Sequence, residues 1–87
     1  MKVWTEIGMT WYEANGRQAI VGRSGSGYSV TSSWTRNGTN WVGGMGAGGS
    51  LTKDEADDLA RRFVAGQPVP EDLGGYEDNK PEGVTSE

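Results

Sequence analysis

Between Ser50 and Gly66 the chain encodes one short helix together with both of its ends. Thr52 is placed to cap the first turn, and Glu55 three residues later completes a capping box. Leu51 and Ala56 have the spacing of a hydrophobic staple. Ala56, Leu59, Ala60, Phe63 and Val64 fall on a single apolar stripe. Acids occupy the first turns and Arg61 and Arg62 the last, as the helix dipole favours. Asp57 with Arg61 and Asp58 with Arg62 have the spacing of acid-before-base pairs. Gly66 suits the left-handed residue that ends a helix, and Pro68 prevents continuation. A lone helix with one stripe covers only one face of a sheet, and the chain before it reads as two hairpins and a glycine-rich stretch.

Val3 to Ala14 alternates, with Val3, Ile7, Met9 and Trp11 on one side and Trp4, Glu6, Thr10 and Tyr12 on the other. Asn15-Gly16 is the strongest short hairpin signal, because a type I′ turn needs positive φ at both central residues. That turn sets Trp11 opposite Ile20, Tyr12 opposite Ala19 and Thr10 opposite Val21. Ser24-Gly25-Ser26-Gly27 reads as a flexible connection that leaves the register between hairpins unfixed. Tyr28 to Arg36 alternates again, with Tyr28, Val30, Ser32 and Trp34 on one side and a row of hydroxyls on the other. Asn37-Gly38 signals a second tight turn that brings Trp34 opposite Trp41, unless Thr39-Asn40 lengthen the loop. The expected fold is therefore α+β: an antiparallel four-stranded sheet of two consecutive β-hairpins followed by one C-terminal helix, ββββα, spanning residues 1–66. Six of the eight aromatic side chains (Trp4, Trp11, Tyr12, Tyr28, Trp34 and Trp41) lie in the strands. They cannot all fit beneath one helix, so some must face solvent, a second subunit or a ligand.

Composition removes several classes of function. There is no cysteine and no histidine, which excludes disulfide frameworks, thiolate or imidazole metal sites and the usual triads. The serines at 24, 26, 29, 32 and 33 have no histidine to activate them. No apolar run approaches the ~18–20 residues of a membrane span, and Met1 to Glu6 contains no long apolar segment of a secretory signal, so the expectation is a cytoplasmic protein. Asn37-Gly38-Thr39 fits a glycosylation sequon and is read as chance. Asp54, Glu55, Asp57 and Asp58 spread over the polar side of the helix, which is a solvated face and not a metal cluster. Glu6 and Glu13, seven apart on one strand, face opposite sides and form no carboxylate pair. The chain reads as a non-enzyme with no cofactor and no metal.

The binding candidates are Trp4, Tyr12, Arg17, Arg23, Trp34, Arg36 and Trp41 in the strands, with Gly44 and Gly46 in the glycine-rich stretch before the helix. Gly44-x-Gly46-x-x-Gly49 matches the dinucleotide fingerprint, and a bare backbone at a helix N-terminus suits a phosphate. No further βαβ strand follows it, and Asp54 and Glu55 in the first turn repel an anion, so a closely packed connector is the plainer reading. Sheet aromatics with arginines describe a platform on which single-stranded bases stack. Four strands then a helix is the order of several small nucleic-acid-binding folds, yet no motif of theirs is matched, and three arginines make no basic stripe.

Residues 67–87 hold six acids and one base, while residues 1–66 are nearly balanced, within a chain of formal charge −4. This acidic segment, with all three prolines, reads as a disordered tail pinned at Val69 and Leu73. It solubilises the chain, competes for a basic face, or mimics nucleic-acid charge toward a basic partner. A body of about 66 residues buries only ~60% of its unfolded surface, so a homodimer or larger homo-oligomer is expected. The favoured expectation is a non-catalytic interaction protein with a protein partner, of the composition common among phage and mobile-element accessory proteins. The alternatives are a single-stranded nucleic-acid module using sheet Trp and Arg, and an oligomeric binder of a nucleotide-like ligand at the glycine-rich loop.

Overall fold

The computed structural model describes residues 1–74, apart from the side chain of Arg36; residues 75–87, most of the expected acidic tail, lie outside the described residues. The architecture is α+β, an antiparallel sheet with one helix after it, but the sheet has five strands where four were expected. They are β1 (Lys2–Glu6), β2 (Met9–Ala14), β3 (Arg17–Ser24), β4 (Gly27–Arg36) and β5 (Thr39–Met45), followed by α1 (Lys53–Ala65) and a 3-10 turn at Glu71–Leu73. Strand order equals chain order, so the sheet is a simple meander.

The extra strand arises because Val3 to Ala14 folds back on itself at Ile7-Gly8. Ile7 has φ 52° and Gly8 φ 75°, nearly the values of Asn15-Gly16 (54° and 75°) and Asn37-Gly38 (52° and 80°). All three are two-residue turns with positive φ at both positions, the type I′ condition. Isoleucine hides the first of them, since a β-branched residue rarely takes positive φ. The turn moves Trp4 to the opposite side from that expected: Trp4 pairs with Trp11, and Val3 with Tyr12. Glu6 and Glu13 consequently share a face, opposite Met9 and Lys2 respectively, at the two ends of the hairpin.

The predicted registers around the Asn-Gly turns hold: Trp11 faces Ile20, Tyr12 faces Ala19, Thr10 faces Val21, and Trp34 faces Trp41. Thr39 and Asn40 belong to β5 and do not lengthen its loop. The supposedly flexible Ser24-Gly27 connection is a tight turn as well. Ser24 pairs with Gly27, and Gly25 at φ 58° supplies the positive first position of a type II′ turn.

The helix forms as its caps dictate. Glu55 N–H donates to Thr52 Oγ1 at 3.1 Å and Thr52 N–H to Glu55 Oε1 at 2.8 Å, while Gly66 ends the helix at φ 82°. Ala56, Ala60, Phe63 and Val64 are fully buried against the sheet. Close approach is possible because one row across the sheet, Ala19–Ser32–Gly43, carries only small side chains. Bulk comes from the neighbouring rows, through Val21 and Val30 on one side and Trp34 on the other. Full burial of each Val or Phe side chain contributes ~1.5–3 kcal/mol.

Hydrogen bonds among the described residues tie the helix and the 3-10 turn to the strands and to the β2–β3 turn. Tyr12 OH donates to Asp57 Oδ1 at 2.7 Å, Asn15 Nδ2 to Val64 O at 2.8 Å, Arg17 Nη1 to Phe63 O at 2.8 Å, and Ser32 Oγ to Leu73 O at 3.2 Å. Two of these satisfy carbonyls that the end of a helix leaves without intrahelical partners. Asp58 pairs with Arg62 at 3.2 Å as expected, but Asp57 is buried beneath the helix and takes Lys53 at 2.6 Å in addition to Tyr12. It is thus not part of a solvated acidic face. Past Gly66 the chain still packs on the body: Val69 lies against the core, and Leu73 and Gly74 are buried. A Cβ on Gly74 would sit 2.1 Å from the Trp34 ring, so the chain crosses that indole at backbone contact.

Candidate functional site

The two sheet faces are now distinct. The helix side carries Tyr12, Ala19, Val21, Val30, Ser32 and Trp34 as core, with Trp41 at its far margin. The other side has no element laid over it among the described residues, and its side chains form three rows across the strands. The central row runs Trp4–Trp11–Ile20–Thr31–Gly44. On one flank lies Lys2–Glu13–Gln18–Ser33–Val42, and on the other Glu6–Met9, then Gly22–Ser29.

Trp4 and Trp11 are the anchor of this open face. Their rings stack with centroids 5.8 Å apart and planes within 9°, and the Lys2 ammonium lies 5.8 Å from the Trp4 ring. Met9 lies across Gly22, where a Cβ would come within 3.2 Å of Met9 Cγ, so the absence of a side chain at 22 seats the methionine. A shallow apolar groove of about 420 Å³ continues along Ile20, Thr31 and Val42. Val42 is 80% exposed, an unusual position for a valine in a strand. Charge is sparse: Lys2, Glu6 and Glu13 are the ionisable residues of the three rows, and Lys2 and Glu13 approach to 3.9 Å.

The structure divides the sequence-derived candidates. Of them, Trp4 and Gly44 belong to the open face. Tyr12 is buried, and its phenol is pushed up to about 12 from the ordinary 10.0, first by desolvation and then by its bond to Asp57. Trp34 is buried between the Trp41 ring, stacked at 6.3 Å, and the Phe63 ring, edge-on at 5.4 Å. Trp41 remains 38% exposed on that same helix side. Arg17 donates to the Phe63 carbonyl in the last helical turn and lies over the Phe63 ring. Arg23 lies 5.6 Å from the Tyr28 ring, also on the helix side. Arg36 ends β4 opposite Thr39. The candidates therefore do not converge on one place.

Gly46 belongs to a close-packed connector. Its own carbonyl accepts from Gly49 N–H at 2.8 Å and Ser50 N–H at 3.3 Å, and Gly48 N–H donates to Ser24 Oγ at 3.1 Å. A Cβ at Gly46 would lie 2.7 Å from both Leu51 Cδ1 and the Tyr28 carbonyl. The amides of Gly48, Gly49 and Ser50 are thus bonded within the fold. Among the described residues no group of acids is arranged to hold a metal ion, and no helix is long and apolar enough to cross a membrane.

Met9, Trp11, Ile20 and Val42 are face residues that the candidate set omits. Reading Ile7-Gly8 as a turn would have put Trp4 opposite Trp11 and exposed the pattern; without it Trp4 falls on the wrong side. No protein-family model matches this chain, and neither the curated proteins nor the solved structures contain a match to it.

Proposed function

We propose that this is a non-catalytic interaction protein that acts as a homo-oligomer and engages a protein partner through the sheet face opposite the helix. One observation carries the reading: the stacked Trp4–Trp11 pair is continuous with Met9, Ile20 and an 80%-exposed Val42 on a face nothing covers among the described residues. Contiguous apolar surface with a thin polar rim is what protein interfaces bury at their centre, and tryptophan is among the residues that dominate binding there.

Charge favours a protein over a nucleic acid as that partner. Single-strand platforms pair their aromatic rings with cations that follow the phosphates. Here the three rows hold one lysine and two glutamates, whereas Arg17 and Arg23 lie on the helix side. In the glycine-rich loop the amides of Gly48, Gly49 and Ser50 are bonded internally and a Cβ at Gly46 would meet Leu51 and the Tyr28 carbonyl, which leaves a nucleotide-like ligand little to bind.

The test is site-specific photocrosslinking in the cells of origin, with a benzophenone side chain at Val42, at Ile20, or at the exposed Asp58 on the helix. A discrete protein adduct from 42 and 20, absent from 58 and lost on Trp11→Ser, is the expected result. Adducts from 58 alone overturn the reading. So does salt-sensitive quenching of the tryptophans by single-stranded DNA, which would move the assignment to the nucleic-acid class.

A further inference from the structure

The open edge of the sheet at β1 carries information of its own. With a two-residue loop, Glu6 and Met9 close the β1–β2 turn as a hydrogen-bonded pair, and the pattern alternates from there. Lys2, Trp4 and Glu6 thus spend their backbone groups on β2. Val3 and Thr5 point theirs outward, where no strand follows among the described residues. Exposed apolar surface gathers at the same edge: Met1 is 63% exposed, Val3 52% and Ile7 86%, three of the five large hydrophobic residues so exposed among the described residues.

We infer that the β1 edge pairs antiparallel with the β1 edge of a second copy, centred on Trp4, to form one continuous ten-stranded sheet. The sequence Lys2-Val3-Trp4-Thr5-Glu6 is self-complementary in that register and in no other centred pairing. Lys2 falls opposite Glu6 of the partner subunit, and the symmetry repeats the pair at the other end. Val3 falls opposite Thr5 of the partner subunit, so the two residues with outward backbone groups meet each other, as an antiparallel ladder requires. The two Trp4 residues meet at a non-hydrogen-bonded position, where side chains approach most closely. Each already stacks on its own Trp11, so the joint extends the pair into a row of four indoles across the middle of the combined face. Met1 and Ile7 come to the two ends of the joint.

Charges at an edge normally deter pairing with foreign strands. Lys2 and Glu6 do this against most sequences and favour one only, a reversed copy of themselves. The inference deepens the homo-oligomer part of the proposed function and does not depend on which partner the sheet face takes. An edge-to-edge joint lies at the small end of specific interfaces, so self-association at roughly 10–100 μM is expected.

Sedimentation velocity of the full chain over a concentration series tests it. The wild type should shift from its 9.3 kDa monomer to twice that mass. Lys2→Glu sets glutamates against glutamates, and Glu6→Lys sets lysines against lysines, so each variant alone should dimerise about tenfold or more weakly. Mixed in equal amounts, the two variants should recover dimer, because every pair in the mixed joint is again opposite in sign. Val3→Pro removes an outward N–H that the monomer does not use; it should stay folded by circular dichroism and remain monomeric. A wild type that is monomeric at several hundred micromolar overturns the inference. A dimer indifferent to Val3→Pro, or single variants that fail to restore each other, overturns it too. In either case crosslinking from Val42 still reports independently on the sheet face.

Discussion

Replacing Tyr12 with phenylalanine removes one oxygen atom and tests the link between helix and sheet. The phenol donates to Asp57 at 2.7 Å within a buried site, and a hydrogen bond to a charged acceptor of this kind contributes ~1.5–3 kcal/mol. Asp57 retains Lys53, so the carboxylate is not left alone. For a domain of this size, a loss of about 2 kcal/mol lowers Tm by about 8–16 °C. The pH dependence is more diagnostic. Tyr12 ionises near 10.0 in the unfolded chain and about 12 in the fold. A raised pKa in an acid means that the neutral form is favoured by folding, so this stabilisation is complete below pH 10 and disappears as pH rises through 12. That difference amounts to a loss on the order of 2–3 kcal/mol. Urea denaturation at intervals from pH 9 to 12 should show wild-type stability falling toward that of Tyr12→Phe, with the two curves converging at the top of the range. Parallel curves across that window would refute the argument.

Three further outcomes follow from the backbone. Ile7→Asn relieves a β-branched residue at φ 52° and creates a third Asn-Gly turn, so the domain should gain about 1 kcal/mol in chemical denaturation. Gly74→Ala drives a Cβ to 2.1 Å from the Trp34 ring at a position with φ 88°; a loss of roughly 2–3 kcal/mol is expected, with a weakened near-ultraviolet signal from the Trp34–Trp41 stack. Thr52→Ala removes the capping oxygen and should cost about 1 kcal/mol, read as a lower Tm with unchanged strand content.

Local chemistry made the helix and the later hairpins legible. Thr52, Glu55 and Gly66 each act through neighbours three or four residues away, and the Asn-Gly pairs act through their own φ angles, so short sequence windows contain what decides them. Ile7-Gly8 is the counter-example. Its turn is stabilised by the pairing of Trp4 with Trp11 and Val3 with Tyr12, which overrides the reluctance of isoleucine to enter that conformation. The consequence is not local: that single turn sets the side on which Trp4 stands and with it the composition of the open face. Asp57 escaped for a different reason. Its burial depends on Tyr12, forty-five residues away, and nothing in the helix distinguishes it from Asp54 or Asp58. The arginines likewise suggested a ligand surface in sequence, while two of them serve a helix end and a tyrosine ring.

The meander has a kinetic meaning. Every strand pairs with its immediate predecessor across a two-residue loop, so the sheet can grow by short closures, each costing little chain entropy. The longest separations are bridged by the helix and the 3-10 turn with the sheet, through hydrogen bonds that span 41 to 49 residues. This separation of short- and long-range contacts predicts fast zippering of the hairpins ahead of helix docking beneath the sheet. Until that docking, Tyr12, Val21, Val30 and Trp34 are as bare as the face that stays open. During synthesis the sheet emerges first, and both of its sides are bare until α1 follows and covers one of them.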